Sequence, residues 1–331
     1  MSSAGPRGGR PVRRGRAGMK TPAKSSAARP RPGPNRRLLL LGLGGALAGG
    51  RASADGEAVT VASKGDAEGT LLGQIIAQTL RGLGIPVVAR LQLGPTRIVR
   101  TAITAGEIDA YPEYTGNAAF FSGTETDPAW KSAATAIAAA RRFDAPHGLV
   151  WLTPARANNS WQIAVRGDLA RRERLSGMAD FAGAVRRGLI ELAASAEFVE
   201  SPAALAAYEK AYGFVLPRER IITLPGGDTS VTLRAAAQGI SGVNAGMVYG
   251  TDGAIAALDV VVMEDPLGAQ IVYEPAPVFR APVLARHPAI APALDGIFSR
   301  LDLPTLRRLN GAITVEGGTP EAVARRYLAE G

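Results

Sequence analysis

Residues 59–111 read VTVASKGDAEGTLLGQIIAQTLRGLGIPVVARLQLGPTRIVRTAITAGEIDAY, and the alternation inside this stretch decides the fold. Val59 to Ser63 is a short β-rich run. Thr70 to Leu83 carries apolar residues at helical spacing until Gly84 and Pro86 stop it. Val87 to Leu93 predicts a second strand, Thr96 to Ala105 a helix closed by Gly106, and Ile108 to Tyr111 a third strand. A β-α-β-α-β rhythm of this kind predicts a parallel sheet with helices on both faces.

Further along, an alanine-rich helix is expected near 129–143 and a strand at 149–152, with Asn158 to Val165 crossing into a second sheet. Residues 166–272 repeat the α/β rhythm. Helices are expected near 178–187, 202–212 and 228–238, and strands near 189–193, 220–223, 245–249 and 260–263. Pro225 to Ser230 reads as a turn and N-cap. The tail is expected to be strand-like from Pro275 to Leu284 and then helical near 289–301, 302–313 and 319–330. The expected fold is therefore α/β, with two lobes and a cleft: residues 57–157 with 272–331, and residues 158–271. In open α/β sheets ligands sit at the carboxyl ends of strands, so the loops after the strands are the places to look.

Charge separates the chain into two parts. Of its 38 Lys and Arg, twelve fall in residues 1–54, which hold no acid; the remaining 26 face all 29 Asp and Glu. The net charge of +9 thus belongs to the leader, the rest is mildly acidic, and a nucleic-acid partner is not expected. The basic leader runs into Leu38 to Ala48 and then Ala52-Ser53-Ala54, the order of a secretory signal. Arg36-Arg37 leaves both the general secretory and the twin-arginine route open, and Met1 or Met19 is the start. Having no cysteine, the chain can form no disulfide or thiolate metal site and carry no lipid on cysteine; the expected location is the periplasm.

The loops after the strands hold Tyr111, Tyr114, Trp161, Tyr249 and Tyr273 in a chain only 5% aromatic. A trimethylammonium head offers neither a proton nor a lone pair. Aromatic faces hold it by cation–π attraction, each ring contributing about 0.5–2 kcal/mol. Taken singly, such rings read as half-buried packing at strand ends; taken together, their placement in these loops points to an aromatic cage.

The run from Gly106 to Ala118 (GEIDAYPEYTGNA) resembles the signature of the glycine betaine and choline-binding proteins of ABC importers. Val61 to Lys64, Asn158 to Trp161, Tyr249 to Gly253 and Tyr273 to Val278 resemble that family's first loop, its crossing, its late Thr-Asp-Gly turn and its return to the first lobe. The likeness covers residues 58–331 and is strongest to the osmoprotectant-binding branch of OsmF or YehZ type. It implies a type II periplasmic-binding-protein fold with the ligand cleft between the lobes. It implies a box of rings from Tyr114, Trp161, Tyr249 and Tyr273, with Tyr111 a weaker candidate. Lys64 and Asn117 match positions near the ligand's carboxylate, Asn159 a polar cage position, and Thr251 and Asp252 the late turn. The implied partners are a small quaternary-ammonium ligand, a membrane permease and a cytoplasmic ATPase, with the binding protein itself a monomer.

One departure narrows the ligand. Where the family often has Phe-x-x-Arg-x-Asp-Gly, this chain has Phe198 to Ala204 (FVESPAA), with Ser201 in place of the arginine that contacts a carboxylate. Losing such a charge-assisted bond costs about 1.5–3 kcal/mol, which favours choline or weakly held betaine. His147 and His287 sit in loop contexts without metal-binding spacing, and Gly226-Gly227 is not followed by the Gly-Lys-Ser/Thr of a phosphate loop. No catalytic residue, metal or cofactor is therefore expected. Glu113 and Asp252 could pair as general acid and base, but loop carboxylates more often cap helices or fix the cleft. An enzyme on the same fold, such as a small transferase, and a non-transport sensor or interaction protein are the alternatives.

Overall fold

The computed structural model describes residues 57–224 and 229–331. The secretory signal and most of the expected Pro225–Ser230 turn lie outside the described residues. Within them the chain runs β1 (Val59–Lys64), α1 (Ala67–Gly82), β2 (Val87–Gly94), α2 (Thr96–Thr104), β3 (Ala110–Tyr114), α3 (Thr115–Ser122), α4 (Ala133–Asp144) and β4 (Leu149–Trp151). It continues through β5 (Trp161–Arg166), α5 (Gly167–Glu173), α6 (Met178–Arg186), β6 (Leu192–Ser195), α7 (Ala196–Glu200), α8 (Leu205–Tyr212) and β7 (Ile221–Leu224). Then come α9 (Thr229–Gln238), β8 (Ala245–Tyr249), β9 (Val260–Val262), β10 (Pro275–Arg280), α10 (Ala281–Arg286), α11 (Ile290–Phe298), α12 (Leu303–Thr314) and α13 (Pro320–Ala329).

These strands form two five-stranded sheets, ordered β2-β1-β3-β10-β4 and β7-β6-β8-β5-β9. Both are mixed rather than purely parallel. The strands that follow helices pair in parallel, β1 with β2 and β3, and β6 with β7 and β8. The strands that enter from the other sheet run antiparallel: β10 against β3 and β4, and β5 against β8 and β9. A strand arriving by a crossing need not make the return that forces a parallel βαβ unit.

Helix α1 shows how the sequence places the site. Asp66 caps it by accepting the Gly69 amide at 2.6 Å, and Leu71, Leu72, Ile75, Ile76 and Leu80 bury one face under the first sheet. Its first turn is thereby held at the carboxyl end of β1. The expected helix at 129–143 is instead a 3-10 turn at Pro128–Lys131 followed by α4, because Ser132 caps the second piece by accepting the Thr135 amide. The expected strand through Leu284 ends at Arg280, where Ala281-Pro282 starts α10; Pro has no amide proton, and the first helical turn leaves that group unused. The strand placed at 189–193 lies at Leu192–Ser195.

The chain passes between the sheets twice, and the two passages are hydrogen-bonded to each other. The Asn159 amide donates to the Tyr273 carbonyl at 2.8 Å, and the Tyr273 amide to Asn158 Oδ1 at 2.9 Å. Helix α12 also touches the β8 side of the molecule. A Cβ on Gly253 would fall 2.1 Å from the Gly311 nitrogen, so only glycine lets these backbones meet.

Candidate ligand cleft

A cavity of about 1360 Å³ opens between the two sheets, with walls from both. Nine of the ten residues singled out from the sequence line it. Tyr111 is the exception. Its side chain is fully buried and its hydroxyl donates to Glu113 Oε2 at 3.1 Å, so alternation along β3 turns it away from the cleft.

The strand after Ile108 ends at Tyr114 rather than Tyr111, and α3 starts at once. Tyr114 therefore stands at the carboxyl end of β3 and Asn117 in the first turn of α3. On the second sheet, Trp161 opens β5 and lies opposite Tyr249, the last residue of β8. The Tyr208 hydroxyl donates to the Trp161 carbonyl at 2.8 Å, and Phe198 packs edge-on to the indole at 6.2 Å between centroids. Tyr273 comes from the second crossing, 6.4 Å from Trp161 between centroids. Rings from β3, β5, β8 and the crossing thus line one cavity.

The polar groups divide into two sets. Lys64 ends β1; its Nζ lies 2.9 Å from Glu113 Oε1 and 4.2 Å from the centroid of the Tyr114 ring. The same Glu113 oxygen accepts from the Tyr114 amide at 2.8 Å and from Asn117 Nδ2 at 2.7 Å. Glu113 is committed to this cluster. Asp252 accepts the Tyr249 amide at 2.8 Å and braces the turn after β8. These bonds give both carboxylates holding roles in place of the formal acid–base pairing.

The second set centres on Glu68, which sequence reading missed. Its Oε1 accepts from the Tyr114 hydroxyl at 2.6 Å and Asn159 Nδ2 at 3.2 Å. Its Oε2 accepts from the Thr251 hydroxyl and from Asn310 Nδ2, each at 2.5 Å. Four donors from β3, the first crossing, the β8 turn and α12 converge on one carboxylate. Burial pushes this carboxyl up to about 7, against the downward pull of the Thr251, Tyr114 and Asn310 hydrogen bonds, with Asp66 adding to the rise. Two signals existed in the sequence: Glu68 sits two residues past the loop after β1, and Asn310 is a polar residue on the buried face of α12 beside Leu306 and Leu309.

Two further features bear on the ligand. The Trp161 indole N–H is buried on the cleft wall beside Tyr249, without a well-aligned hydrogen bond. Ser201 does not line the cleft; it ends α7 and its hydroxyl accepts the Ala203 amide at 3.2 Å. The cleft receives Glu197 from that helix instead. Among the described residues no cluster of His, Cys, Asp and Glu is suited to a metal ion, and no helix is long and apolar enough to cross a membrane.

Two mixed sheets joined by paired crossings, with rings from both facing one cleft, define a two-lobed solute-binding architecture. Residues 57–330 match the family described as the substrate binding domain of ABC-type glycine betaine transport systems, and the chain belongs to that family. It is 51% identical over 274 residues to the glycine betaine-binding protein YehZ of Escherichia coli, covering 82% of this chain and 90% of that protein. It is 31% identical over 301 residues to a glycine-betaine-binding protein of Pseudomonas aeruginosa, covering 89% and 94%. The apo structure of the Escherichia coli protein superposes with a TM-score of 0.72 over 83% of this chain and 98% of that one. A glycine betaine/carnitine/choline ABC transporter structure, 18% identical, shares the fold at a TM-score of 0.71 over 82% and 98%.

Proposed function

We propose that the chain is the exported binding component of an ABC importer and captures a small quaternary-ammonium solute, choline or glycine betaine, among Tyr114, Trp161, Tyr249 and Tyr273. The observation that carries this reading is the arrival of four aromatic side chains from both sheets and a crossing at one cavity. Cation–π attraction suits such a wall, and about −8 kcal/mol, micromolar binding, is within reach of several rings together. The binding named for the two bacterial relatives supports the same ligand class.

Residues 57–157 with 272–331 and residues 158–271 act as lobes. A ligand touching both favours the closed arrangement through its greater affinity for it. The closed form then docks on a permease served by a cytoplasmic ATPase, and the basic leader, residues 1–54, directs export to the periplasm. The residues present are arranged for holding rather than reacting, so no catalytic role is assigned.

Within the ligand class, α7 brings Glu197 to the cleft wall, while Ser201, at the position that resembles the family's arginine, does not reach it. This arrangement favours choline, or betaine held weakly. A thermal-shift screen against choline, glycine betaine, carnitine, proline betaine and ectoine tests the reading. Stabilisation by choline or betaine is expected, following mass action. No stabilisation by any of the five would remove it.

A further inference from the structure

Glu68 differs from the other acids of the cleft. Glu113 is paired with Lys64, Asp66 caps α1 at the surface, Asp252 braces a turn, and Glu197 stands on the opposite wall, on α7 near Tyr249 and Tyr273. Glu68 is buried, and its four hydrogen-bond partners are all neutral. Its charge is balanced by no basic side chain bonded to it, and it lines the cavity beneath Tyr114.

The bonding around it leaves one proton with two places to go. The Thr251 hydroxyl lies within hydrogen-bond distance of both Glu68 Oε2 and Asn159 Oδ1, the latter at 2.7 Å. A hydroxyl has one proton to give. With Glu68 ionised, Thr251 donates to the carboxylate. With Glu68 protonated, the carboxyl donates to Thr251, and Thr251 donates to Asn159. Both arrangements satisfy the same heavy-atom geometry, so the network accommodates either charge state without rebuilding.

We infer that Glu68 is a specificity-determining residue, whose ionised carboxylate supplies a buried counter-charge on the first-sheet side of the cleft, opposite Glu197, and favours a net cation such as choline over a zwitterion such as glycine betaine. The inference rests on the quaternary-ammonium reading of the cleft. A buried charge acts through low-dielectric surroundings, so its pull on a cation nearby exceeds that of an exposed acid. A zwitterion brings its own anion and gains less. Accepting a hydrogen bond from the Tyr114 hydroxyl also places negative charge at the edge of a ring that lines the cavity. The charged and titratable groups around Glu68 are Asp66 on its own helix, Glu113 and Tyr114 on β3, Lys64 over the Tyr114 ring, Asp252 in the β8 turn, and Arg307 on α12. Arg307 is directed to the Gly250 carbonyl at 2.8 Å, not to Glu68. The Tyr114 phenol is pushed well above 10 by burial and stays neutral.

The test is calorimetric titration of the full mature chain and its Glu68→Gln variant with choline and with glycine betaine at pH 8.5. Glutamine keeps the shape and removes the charge. The expected result is a fall of about tenfold or more in choline affinity with a change of less than about threefold for betaine, so the choline-to-betaine ratio collapses. Equal losses for both ligands, the result of a merely structural role, would overturn the inference, as would an unchanged ratio. A wild-type chain that binds neither ligand would remove the quaternary-ammonium reading and this inference with it. Should Glu68→Gln fail to fold, the wild-type ratio at pH 5.5 and 8.5 decides. It is expected to drop on acidification, and a constant ratio overturns the proposal.

Discussion

The ring of Tyr273 lies directly over Gly116: a Cβ at position 116 would come within 2.6 Å of Tyr273 Cε1. The glycine in the first turn of α3 is what lets the second crossing set an aromatic face into the cleft. Gly116→Ala should displace Tyr273 rather than unfold α3, because the backbone needs no left-handed conformation at 116. Ligand affinity should fall about tenfold or more with only a small change in melting temperature. Titration and thermal melts of the variant check this.

Trp161 and Tyr249 face each other across β5 and β8. Replacing either with alanine should weaken choline about tenfold or more. Trp161→Ala removes more core packing, since Phe198 rests on the indole. Tyr249→Ala is therefore the cleaner probe, with circular dichroism confirming the fold.

Lys64 is shared between Glu113 and the Tyr114 face. A zwitterionic ligand can take its charge; choline cannot. Lys64→Met should therefore weaken glycine betaine more than choline. The two titrations, compared as a ratio, separate a carboxylate contact from general disruption of the Glu113 cluster.

Stability should carry the signature of Glu68. The unfolded chain loses this proton near 4.5, the folded chain near 7. Between those values the native state holds the extra proton, so this group's contribution is fully present below about 4.5 and declines as pH rises through about 7. The loss is of the order of 3 kcal/mol. Glu68→Gln should flatten that part of the curve, so denaturant midpoints of the two proteins should converge at low pH and separate above neutrality, with the variant the more stable.

Arg100 and Asp144 form a buried ion pair, and the Trp151 indole donates to the same carboxylate at 2.7 Å. Breaking it leaves a buried charge uncompensated. Asp144→Asn should destabilise the fold by about 3–5 kcal/mol and, because Arg100 lines the cavity, weaken binding of a cationic ligand in the folded fraction. Urea unfolding with parallel titration separates the two effects.

The sequence shows most of what repeats and little of what converges. Apolar spacing in α1, the glycine stops at Gly84 and Gly106 and the run of β-rich segments are local, so both α/β layers can be read from residues 59–111 and their echo after 166. The antiparallel strands β5 and β10 could not be read that way, because their direction depends on which sheet the chain comes from. Tyr114 and Tyr249 line the cavity because they end strands β3 and β8, and Trp161 and Tyr273 because they sit at the two crossings. Tyr111 was the weaker candidate because alternation along its strand could bury it, and it is buried. Glu68 was hidden for a different reason. An acid in the first turn of a helix has a sufficient local explanation in the helix dipole, and nothing near it in sequence announces Tyr114, Asn159, Thr251 and Asn310. The tail strand was overread because Val283 and Leu284 continue its apolar character, while Pro282 acts as a helix starter only after Arg280 has turned the chain.

The central claim is that the cleft holds a positive charge by its aromatic faces and not merely a small apolar body. Choline and 3,3-dimethyl-1-butanol have nearly the same shape and hydroxyl, but only choline is charged. Calorimetric titration of the wild-type chain with both compounds tests the claim most directly. The account predicts that choline binds at least about tenfold more tightly than the neutral isostere. Equal affinities, or tighter binding of the neutral compound, would contradict it.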